Sequence, residues 1–302
     1  MTTGQDPVMP GASAGRRIVV GTDGSEGGDG AVVWAAVQAL EWGSVLEVVT
    51  SFGTGYVLVA QQEAQDAMDT VLRDAQALAE RTAPGVVVKT TSYPGSPDVI
   101  LLEEAVGADL LVVGSRGLGG FKGRLLGSVS RRCVHRSPCP VVVVKDGPDA
   151  VTARRAGSTH TIMVGVDGSP TSTEAVESAV ALAERSAAAV EAVAAWEYPA
   201  SYGTALSIPS DWDPAADCRE ILAKVLAPVQ AAHPGVAIRS TVVQGHPAQV
   251  LDERSDHAEL LVLGCRGHGE LVDMFLGSVS EYCVVHARCT VLVIRHRDGA
   301  DA

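Results

Sequence analysis

Short runs of apolar and β-branched residues alternate with alanine-rich segments of helical length along most of the chain. In the first half the apolar runs predict strands at Ile18–Gly21, Leu46–Ser51, Val86–Thr91, Leu110–Gly114 and Val141–Lys145. The helices predicted between these strands cover about residues 30–40, 61–81, 97–104 and 128–136. The second half repeats the strands at Ile162–Val166, Val190–Trp196, Val236–Val243, Leu260–Gly264 and Val291–Arg295. Continuous apolar strands that alternate with helices are typical of a parallel sheet covered on both faces.

The two halves of the chain are copies of one another. The stretch IVVGTDGS at residues 18–25 recurs as IMVGVDGS at residues 162–169, an offset of 144. Residues 110–145 recur as residues 260–295, an offset of 150, with 17 of these 36 positions identical. Such a period indicates a duplicated domain, since solenoid repeats are only about 20 to 50 residues long. The change of offset indicates an insertion in the second copy, which we predict within residues 198–214.

The pattern and the repeat together define the predicted organisation. We expect a disordered tail at 1–16, domain 1 at 17–146, a polar linker with Gly and Pro at 147–160, domain 2 at 161–296 and a tail at 297–302. Right-handed crossovers then give the fold class α/β, as two tandem doubly wound parallel-sheet (Rossmann-like, five-stranded) domains. The last strand of each domain lies at a sheet edge, and a bare apolar edge invites pairing with another sheet. We therefore expect the two halves to form a pseudo-twofold pair.

A segment rich in glycine and serine follows the fourth strand in both halves. In the first half, Gly114-Ser-Arg-Gly117 is followed after nine residues by Gly127-Ser-Val-Ser130 at the start of a helix. The second half has Gly264-Cys-Arg-Gly267 and Gly277-Ser-Val-Ser280 at the same spacing. Glycines let the backbone approach an anion, and the exposed amides of a helix N-terminus supply donors and positive potential. The segment predicts a phosphate site, and the alternative is a plain glycine-rich turn with Ser as the N-cap.

The spacing G-x2-G-x9-G-[S/T] after strand four, with GxDGS after strand one, resembles the ATP-binding branch of the universal stress protein family. The resemblance covers residues 17–146 and 161–296 and so implies a tandem two-domain member. In that family adenine lies against the ends of strands one and two, and the phosphates lie on the glycine loop. The matching positions in domain 1 are Gly21, Asp23, Ser51, Val113, Gly114, Arg116, Gly117, Gly127, Ser128, Val129 and Ser130. In domain 2 they are Gly165, Asp167, Ala195, Leu263, Gly264, Arg266, Gly267, Gly277, Ser278, Val279 and Ser280.

Two pairs of charged residues have candidate roles in these sites. Asp23 and Asp167 follow a strand end closely enough to accept from a base or ribose donor. The alternative for each is an Asx-turn or an N-cap at the first helix. Arg116 and Arg266 are candidates for pairing with phosphate, and the alternative for each is a solvated loop arginine.

The two sites are expected to differ in affinity. Ser51 and Ala195 stand where the family often has a bulkier aliphatic residue beside the base, which weakens packing on adenine. The first copy carries basic residues in or just after the loop, at Lys122, Arg124, Arg131 and Arg132. The matching residues of the second copy are Val272, Met274, Glu281 and Tyr282. We therefore expect the first site to bind triphosphate more tightly by about 1–2 kcal/mol, unless these are solvated surface charges.

Composition narrows the function classes and the compartment. The 36 acidic and 23 basic residues give a net charge of −13, which argues against nucleic acid as a partner. The apolar runs are too short to span a bilayer, and no signal sequence is recognised, so we expect no membrane association. None of the 6 cysteines forms a CxxC pair, which favours reduced, mostly buried thiols in a cytoplasmic protein.

The motifs favour binding over catalysis. The chain lacks the Lys–hydroxyl pair of a Walker loop and a complete GxGxxG, and no general base or metal-binding carboxylate cluster stands out. The resemblance implies ATP as the ligand, with or without Mg²⁺, and a nucleotide-dependent regulator of stress response or growth arrest with at most slow ATPase activity. It also implies a homodimer through edge strands and an unidentified regulatory protein partner. The alternatives are an interaction scaffold without nucleotide, and a slow ATP hydrolase or phosphotransferase.

Overall fold

The computed structural model describes residues 16–52, 58–117, 126–156, 160–198, 213–265 and 276–295. The elements of domain 1 are β1 (Arg17–Gly21), α1 (Glu26–Trp42), β2 (Val45–Phe52), α2 (Leu58–Thr82), β3 (Val87–Pro94), α3 (Pro97–Glu104), β4 (Leu110–Gly114), α4 (Ser128–Arg136) and β5 (Val141–Val144). Helix α5 (Pro148–Ala156) follows. Domain 2 contains β6 (Thr161–Gly165), α6 (Pro170–Ser186), β7 (Ala189–Trp196), α7 (Pro214–Ala232), β8 (Ile238–Gln244), α8 (Pro247–Ser255), β9 (Leu260–Gly264), α9 (Ser278–His286) and β10 (Thr290–Ile294).

All ten strands belong to one sheet, in the order β3-β2-β1-β4-β5-β10-β9-β6-β7-β8. Every pairing within a domain is parallel, whereas β5 and β10 pair antiparallel, with Val142 opposite Leu292. In each half the chain runs outward from the first strand, returns, and continues on its other side, which is double winding. The predicted fold class and the pairing of the two halves are both confirmed.

Alternate residues of the central strands contribute to two separate hydrophobic layers. Val20 packs in the layer that contains residues of α1, α2, α6 and α7. Its neighbour Val19 packs in the layer that contains residues of α3, α4, α8 and α9. Both valines are fully buried, as expected for strands covered on both faces. Among the described residues, no helix combines the length and the apolar character needed to cross a bilayer.

Two cations at equivalent positions join the domains across the β5–β10 seam. The ammonium of Lys145 donates to the carbonyl oxygens of Val284 and, at 3.2 Å, Val285, near the end of α9. In return, the guanidinium of Arg295 donates to the carbonyls of Val134, at 2.8 Å, and His135, near the end of α4. The last carbonyls of a helix have no intrahelical partner, and the dipole favours a cation there. Each domain thus caps a helix of the other.

The segment predicted as the linker contains the regular helix α5. Arg154 in this helix lies 2.6 Å from the Asp146 carboxylate and donates at 2.6 Å to the Arg288 carbonyl of domain 2. Arg155 pairs with Glu41 at the end of α1. Helix α5 therefore contacts both domains. The predicted tails, apart from Arg16, and residues 199–212 of the predicted insertion lie outside the described residues.

Candidate functional site

A cavity of about 460 Å³ opens at the carboxyl ends of the central strands of domain 1. It lies where the winding reverses, between β1 and β4, which is the usual ligand position in a doubly wound sheet. All eleven positions that the sequence assigned to the domain 1 site line this cavity, namely Gly21, Asp23, Ser51, Val113, Gly114, Arg116, Gly117 and residues 127–130. The structure thus brings together residues that are more than a hundred positions apart.

The turn from β4 into α4 is held closed by backbone contacts. The Gly127 amide donates to the Ser115 carbonyl at 2.8 Å, and the Ser115 amide donates to the Val144 carbonyl at 2.7 Å. The Ser130 hydroxyl donates at 2.6 Å to the Gly114 carbonyl and is buried. Gly114 and Gly127 are therefore fixed next to one another, and the loop between Gly117 and Leu126 returns to its starting point. Ser130 acts as a structural clamp for this turn.

The N-terminus of α4 faces the cavity without a side-chain cap. The N-cap residue is Gly127, and no side-chain hydrogen bond caps the helix in the described part of the chain. The first turn contains no acidic residue, and Leu126, Ser128 and Val129 line the cavity. The alternative of Ser128 as the N-cap is therefore wrong, since Ser128 is the first helical residue. Uncapped amides at a helix N-terminus form an anion site.

Asp23 lies opposite this helix and is held in an Asx-turn. Its Oδ1 accepts from the Ser25 amide at 3.1 Å, so the turn considered as an alternative role is present. The other oxygen, Oδ2, lies only 2.3 Å from where a Cβ on Gly117 would stand. Asp23 therefore combines a local structural role with a position at the cavity wall, and Gly117 is required for the close approach. Its negative charge also contributes, after burial, to a raised pKa of Asp29.

Close backbone contacts bring α1 against the end of β4. A Cβ on Gly27 would lie 2.6 Å from the Arg116 carbonyl oxygen, and one on Gly114 would lie 2.5 Å from the Gly27 carbonyl oxygen. Gly28 follows on the cavity wall, where a Cβ would lie 2.7 Å from the Thr22 hydroxyl. Glycine at these positions therefore permits the packing of α1 that shapes this side of the cavity.

Helix α3 supplies an apolar wall that the sequence analysis missed. Pro97, Ile100 and Leu101 line the cavity beside Val49 and Leu126. The Leu101 side chain packs on Gly21, where a Cβ would lie 2.7 Å from its Cδ1. The sequence predicted α3 as an element but carried no signal that it crosses the strand ends. The contact between Leu101 and Gly21 depends on tertiary packing alone.

The predicted charge advantage of domain 1 is reduced by ion pairs elsewhere. Arg132 lies 2.7 Å from Asp98, and the Ser96 hydroxyl and this guanidinium lower the pKa of that carboxyl. Arg131 lies 3.4 Å from Glu281 of domain 2. Neither arginine lines the cavity. Acidic partners outside the cavity pair with both arginines, while Lys122 and Arg124 lie outside the described residues, so the higher affinity of domain 1 stays a prediction.

Domain 2 repeats the geometry in its described part. The Ser280 hydroxyl donates to the Gly264 carbonyl at 2.7 Å, and the Gly277 amide donates to the Cys265 carbonyl at 2.7 Å. The N-cap of α9 is Gly277, again without a side-chain cap among the described residues. The remaining predicted positions of this domain lie at equivalent places, namely Gly165, Asp167, Ala195, Leu263, Ser278 and Val279. Arg266, Gly267, Val272 and Met274 lie outside the described residues.

The thiols do not form a site. All six cysteines are free, and all except the partly exposed Cys218 are buried. Burial raises the pKa of Cys133, Cys283 and Cys289 to about 12, so these thiols stay protonated. Within the described ranges, no cluster of three or more His, Cys, Asp or Glu side chains has the arrangement of a metal site.

Comparison with known proteins identifies a family whose members match both halves of the chain. The model of the "Universal stress protein family" matches residues 15–145 and 158–295. A universal stress protein of Mycobacterium tuberculosis is 33% identical over 299 residues, covering 92% of this chain and 96% of that protein. One from Mycolicibacterium smegmatis is 31% identical over 292 residues, covering 93% and 97%. The crystal structure of a universal stress protein from Archaeoglobus fulgidus shares the fold, with a TM-score of 0.68, 21% identity, and coverage of 94% of this chain and 100% of that one.

Proposed function

The chain belongs to the universal stress protein family, and from that premise we propose that it binds adenine nucleotide, with ATP as the ligand, in both domains. The observation that carries this proposal is the uncapped N-terminus of α4, which opens into a cavity of about 460 Å³ with an apolar wall. A nucleotide combines an anionic end with a flat, largely apolar base. The cavity offers a matching surface for each end.

The phosphates are assigned to the N-terminus of α4. The amides of Ser128, Val129 and Ser130 lie in its first turn, where the helix dipole favours negative charge. The basic residues His135 and Arg136 lie in the last turn, so the charges of this helix follow its dipole. Exposed Arg116 lies at the cavity rim and supplies a further positive charge to the phosphates. Mg²⁺ would then be held by the phosphates of ATP.

The nucleoside is assigned to the opposite end, between β1, β2 and α3. Ile100 and Leu101 provide apolar contact for one face of a base, and Val113 lies on the floor of the cavity. Asp23 supplies a carboxylate acceptor for a ribose hydroxyl or a base amine. Ser51 stands at the end of β2, beside this part of the cavity. The same arrangement is proposed for the corresponding residues of domain 2.

The role that we propose is regulatory. Nucleotide occupancy would set the state of a cytoplasmic regulator of stress response or growth arrest, with at most slow ATP hydrolysis and with a regulatory protein partner. An interaction scaffold that never binds nucleotide is the competing proposal. It is favoured by Ser51 and Ala195, which leave less apolar surface beside the base than a larger aliphatic side chain.

Substitution of the N-cap glycine separates these proposals. Gly127 has φ −62° and ψ 151°, which any residue adopts, and a Cβ there would make only ordinary contacts, the nearest at 3.4 Å. Gly127→Asp would therefore cap α4 with its own carboxylate, occupying the amides and repelling phosphate while preserving the fold. Gly277→Asp is the counterpart, because Gly277 has φ −64° and ψ 152°. Gly127→Asn is the matched neutral control for the charge.

Binding is measured by identifying nucleotide released on denaturation and by calorimetric titration with ATP. We expect each Asp substitution to abolish binding in its own domain, and the double variant to bind none at unchanged or raised thermal stability. We expect Gly127→Asn to weaken binding less than Gly127→Asp. Wild-type protein that is isolated empty and takes up no ATP would favour the scaffold. Retention of ATP by the double Asp variant would show that the phosphates lie elsewhere.

A further inference from the structure

The strand ends that line the cavity of domain 1 differ in chemistry from their counterparts in domain 2 at three positions. In domain 1 the residues that line the cavity at the ends of β1 and β2 include the hydroxyl-bearing Thr22, Thr50 and Ser51. At the repeat offset of 144, domain 2 has alkyl side chains instead, at Val166, Ala194 and Ala195. All three hydroxyl-bearing residues are therefore replaced together, whereas Gly114, Gly127, Ser128 and Ser130 of the phosphate end are matched by Gly264, Gly277, Ser278 and Ser280.

The backbones at these positions are equivalent, so the side chains can be compared directly. The Thr22 amide donates to the Val49 carbonyl at 3.0 Å, and the Val166 amide donates to the Val193 carbonyl at 2.9 Å. The Gly95 amide donates at 2.9 Å to the carbonyl of Phe52, directly after Ser51, and Gly245 makes the matching bond to Trp196 at 2.8 Å. Strand ends one and two thus have the same geometry in each domain. Only the functional groups on them change.

The hydroxyls of domain 1 retain hydrogen-bonding capacity for a ligand. Thr22 Oγ1 accepts from the Gly24 amide at 3.2 Å, which leaves its own proton to donate. Thr50 Oγ1 donates at 3.4 Å to the sulfur of Met68, a weak acceptor, so its lone pairs stay open. A ligand with both donors and acceptors can therefore satisfy this wall. Val166 and Ala194 offer a ligand only van der Waals contact.

The first turn of the following helix also differs at a position next to this wall. Gly28 packs against the Thr22 hydroxyl in domain 1, where a Cβ would lie 2.7 Å from the hydroxyl oxygen. Its counterpart in domain 2 is Ser172, which is buried and donates its hydroxyl at 2.9 Å to the Ser169 carbonyl. Glycine thus allows the first turn of α1 to pack against the Thr22 hydroxyl, and its replacement by Ser172 accompanies the replacement of Thr22 by Val166.

From these contacts we propose that the two domains bind nucleotide with different selectivity. Both sites keep an aspartate for the nucleoside, Asp23 and Asp167, but only the domain 1 site adds the hydroxyls of Thr22, Thr50 and Ser51, so it discriminates more strongly between nucleosides. The inference rests on the proposed function and adds the basis of selectivity to it. The described N-termini of α4 and α9 match, so we expect both sites to bind the anionic part of the ligand, and the difference in discrimination comes from Thr22, Thr50 and Ser51.

The test uses the Asp caps to isolate each site in the full chain. With Gly277→Asp, only domain 1 is open, and with Gly127→Asp only domain 2 is open. Dissociation constants are measured for ATP and for two analogues. The first analogue, 2′-deoxy-ATP, lacks a ribose hydroxyl, and the second, purine riboside triphosphate, lacks the amine of the base. We expect the domain 1 site to bind at least one of these analogues roughly tenfold more weakly than ATP, as for one good hydrogen bond. We expect the domain 2 site to discriminate less than the domain 1 site, by about threefold or more for at least one analogue, because it lacks the three hydroxyls.

Exchange of one wall residue gives the matched variants. Thr22→Val and Val166→Thr are close in shape, and thermal unfolding measures whether each variant is folded before its affinities are compared. Thr22→Val should reduce the discrimination of domain 1, and Val166→Thr should increase that of domain 2, with the affinity for inorganic triphosphate unchanged in both. The selectivity proposal alone would be overturned if the two wild-type sites discriminated equally between ATP and its analogues. It would also be overturned if discrimination did not change in Thr22→Val and Val166→Thr. Absence of ATP binding at either site would overturn the proposed function with it.

Discussion

The partly buried ammonium of Lys145 predicts a rise in stability with pH. Burial lowers the pKa of this side chain to about 8, against 10.5 for a free lysine. The folded protein therefore releases this proton at a lower pH than the unfolded chain. Between these two values the unfolded state binds more protons, and the free energy of unfolding increases as pH rises. The buried charge of Lys145 destabilises the fold most below pH 8. This destabilisation disappears only above the pKa that Lys145 has in the unfolded chain.

The size of this effect follows from the two pKa values. A shift of one unit corresponds to about 1.4 kcal/mol, so the whole window from 8 to 10.5 amounts to about 3 kcal/mol. Between about pH 7.5 and about pH 9.5 the expected gain is about 2 kcal/mol. Lys145→Met keeps the apolar stem and removes the titration, so this gain should vanish in the variant.

Urea unfolding followed by circular dichroism at both pH values measures the gain. Lys89→Met is the control, because Lys89 is exposed on the edge strand β3. Subtracting the free energy of unfolding of each variant from that of wild type at the same pH removes the contribution of all other titrating groups. We expect the difference between wild type and Lys145→Met to change by about 2 kcal/mol, and the Lys89 difference to stay constant. Parallel behaviour of wild type and Lys145→Met would refute the argument from burial.

Three further predictions concern the packing of the chain. Arg295→Met removes the cap on the Val134 and His135 carbonyls and should lower the free energy of unfolding by about 1–2 kcal/mol in urea unfolding. Gly30→Ala places a Cβ 2.1 Å from the Asp146 carbonyl oxygen and should lower the free energy of unfolding by about 1–3 kcal/mol. Gly235→Ala is the control, because nothing lies within 4 Å of its Cβ, and it should change stability by less than about 0.5 kcal/mol. Equal effects of the two substitutions would contradict the contact at Gly30. In native protein only the half-exposed Cys218 should react with Ellman's reagent, and Cys218→Ser should remove that reaction; fast labelling of other thiols would contradict their burial.

The accuracy of the predicted elements depended on how much of their signal was local. The bounds of β4, α3 and α4 were predicted correctly, since apolar runs, Pro97 and the glycine motif mark their ends. Helix α1 begins at Glu26, four residues before the predicted start, because Gly27, Gly28 and Gly30 have low helix propensity. Ser25 starts the helix by accepting from the Gly28 amide at 3.1 Å. The glycines are present for close packing, which propensity does not reveal.

Helix α5 was missed for a different reason. Its sequence PDAVTARRA has no apolar stripe of a length that predicts a helix, and Val151 is its buried hydrophobic residue. The contacts that hold it are the ion pairs of Arg154 with Asp146 and of Arg155 with Glu41. Such contacts join parts of the chain that only the fold brings together.

The residues of the candidate site also differ in whether local sequence identifies them. Its glycines, Asp23 and Arg116 could be predicted, because a motif at fixed spacing identifies them without knowledge of the fold. The apolar wall from Ile100 and Leu101 could not, since it depends on how α3 crosses the strand ends. Ser130 lines the cavity as the motif predicts, but its hydroxyl donates to the Gly114 carbonyl, a structural contact that the motif alone did not indicate. Motif and position therefore identify residues of the site, but packing decides which groups remain open to a ligand.

The antiparallel seam also changes what can be expected of assembly. The sequence predicted edge-strand contacts for a homodimer, and the two apolar edges β5 and β10 pair within one chain. The outer edges of the sheet are β3 and β8, which carry exposed Lys89 and Arg239, and β3 ends at Pro94. Charged residues and proline on an edge disfavour pairing with another strand. Because β5 and β10 pair internally, an edge-strand dimer of whole chains would have to use β3 or β8, and their charged residues and Pro94 favour a dimer through helices or loops instead.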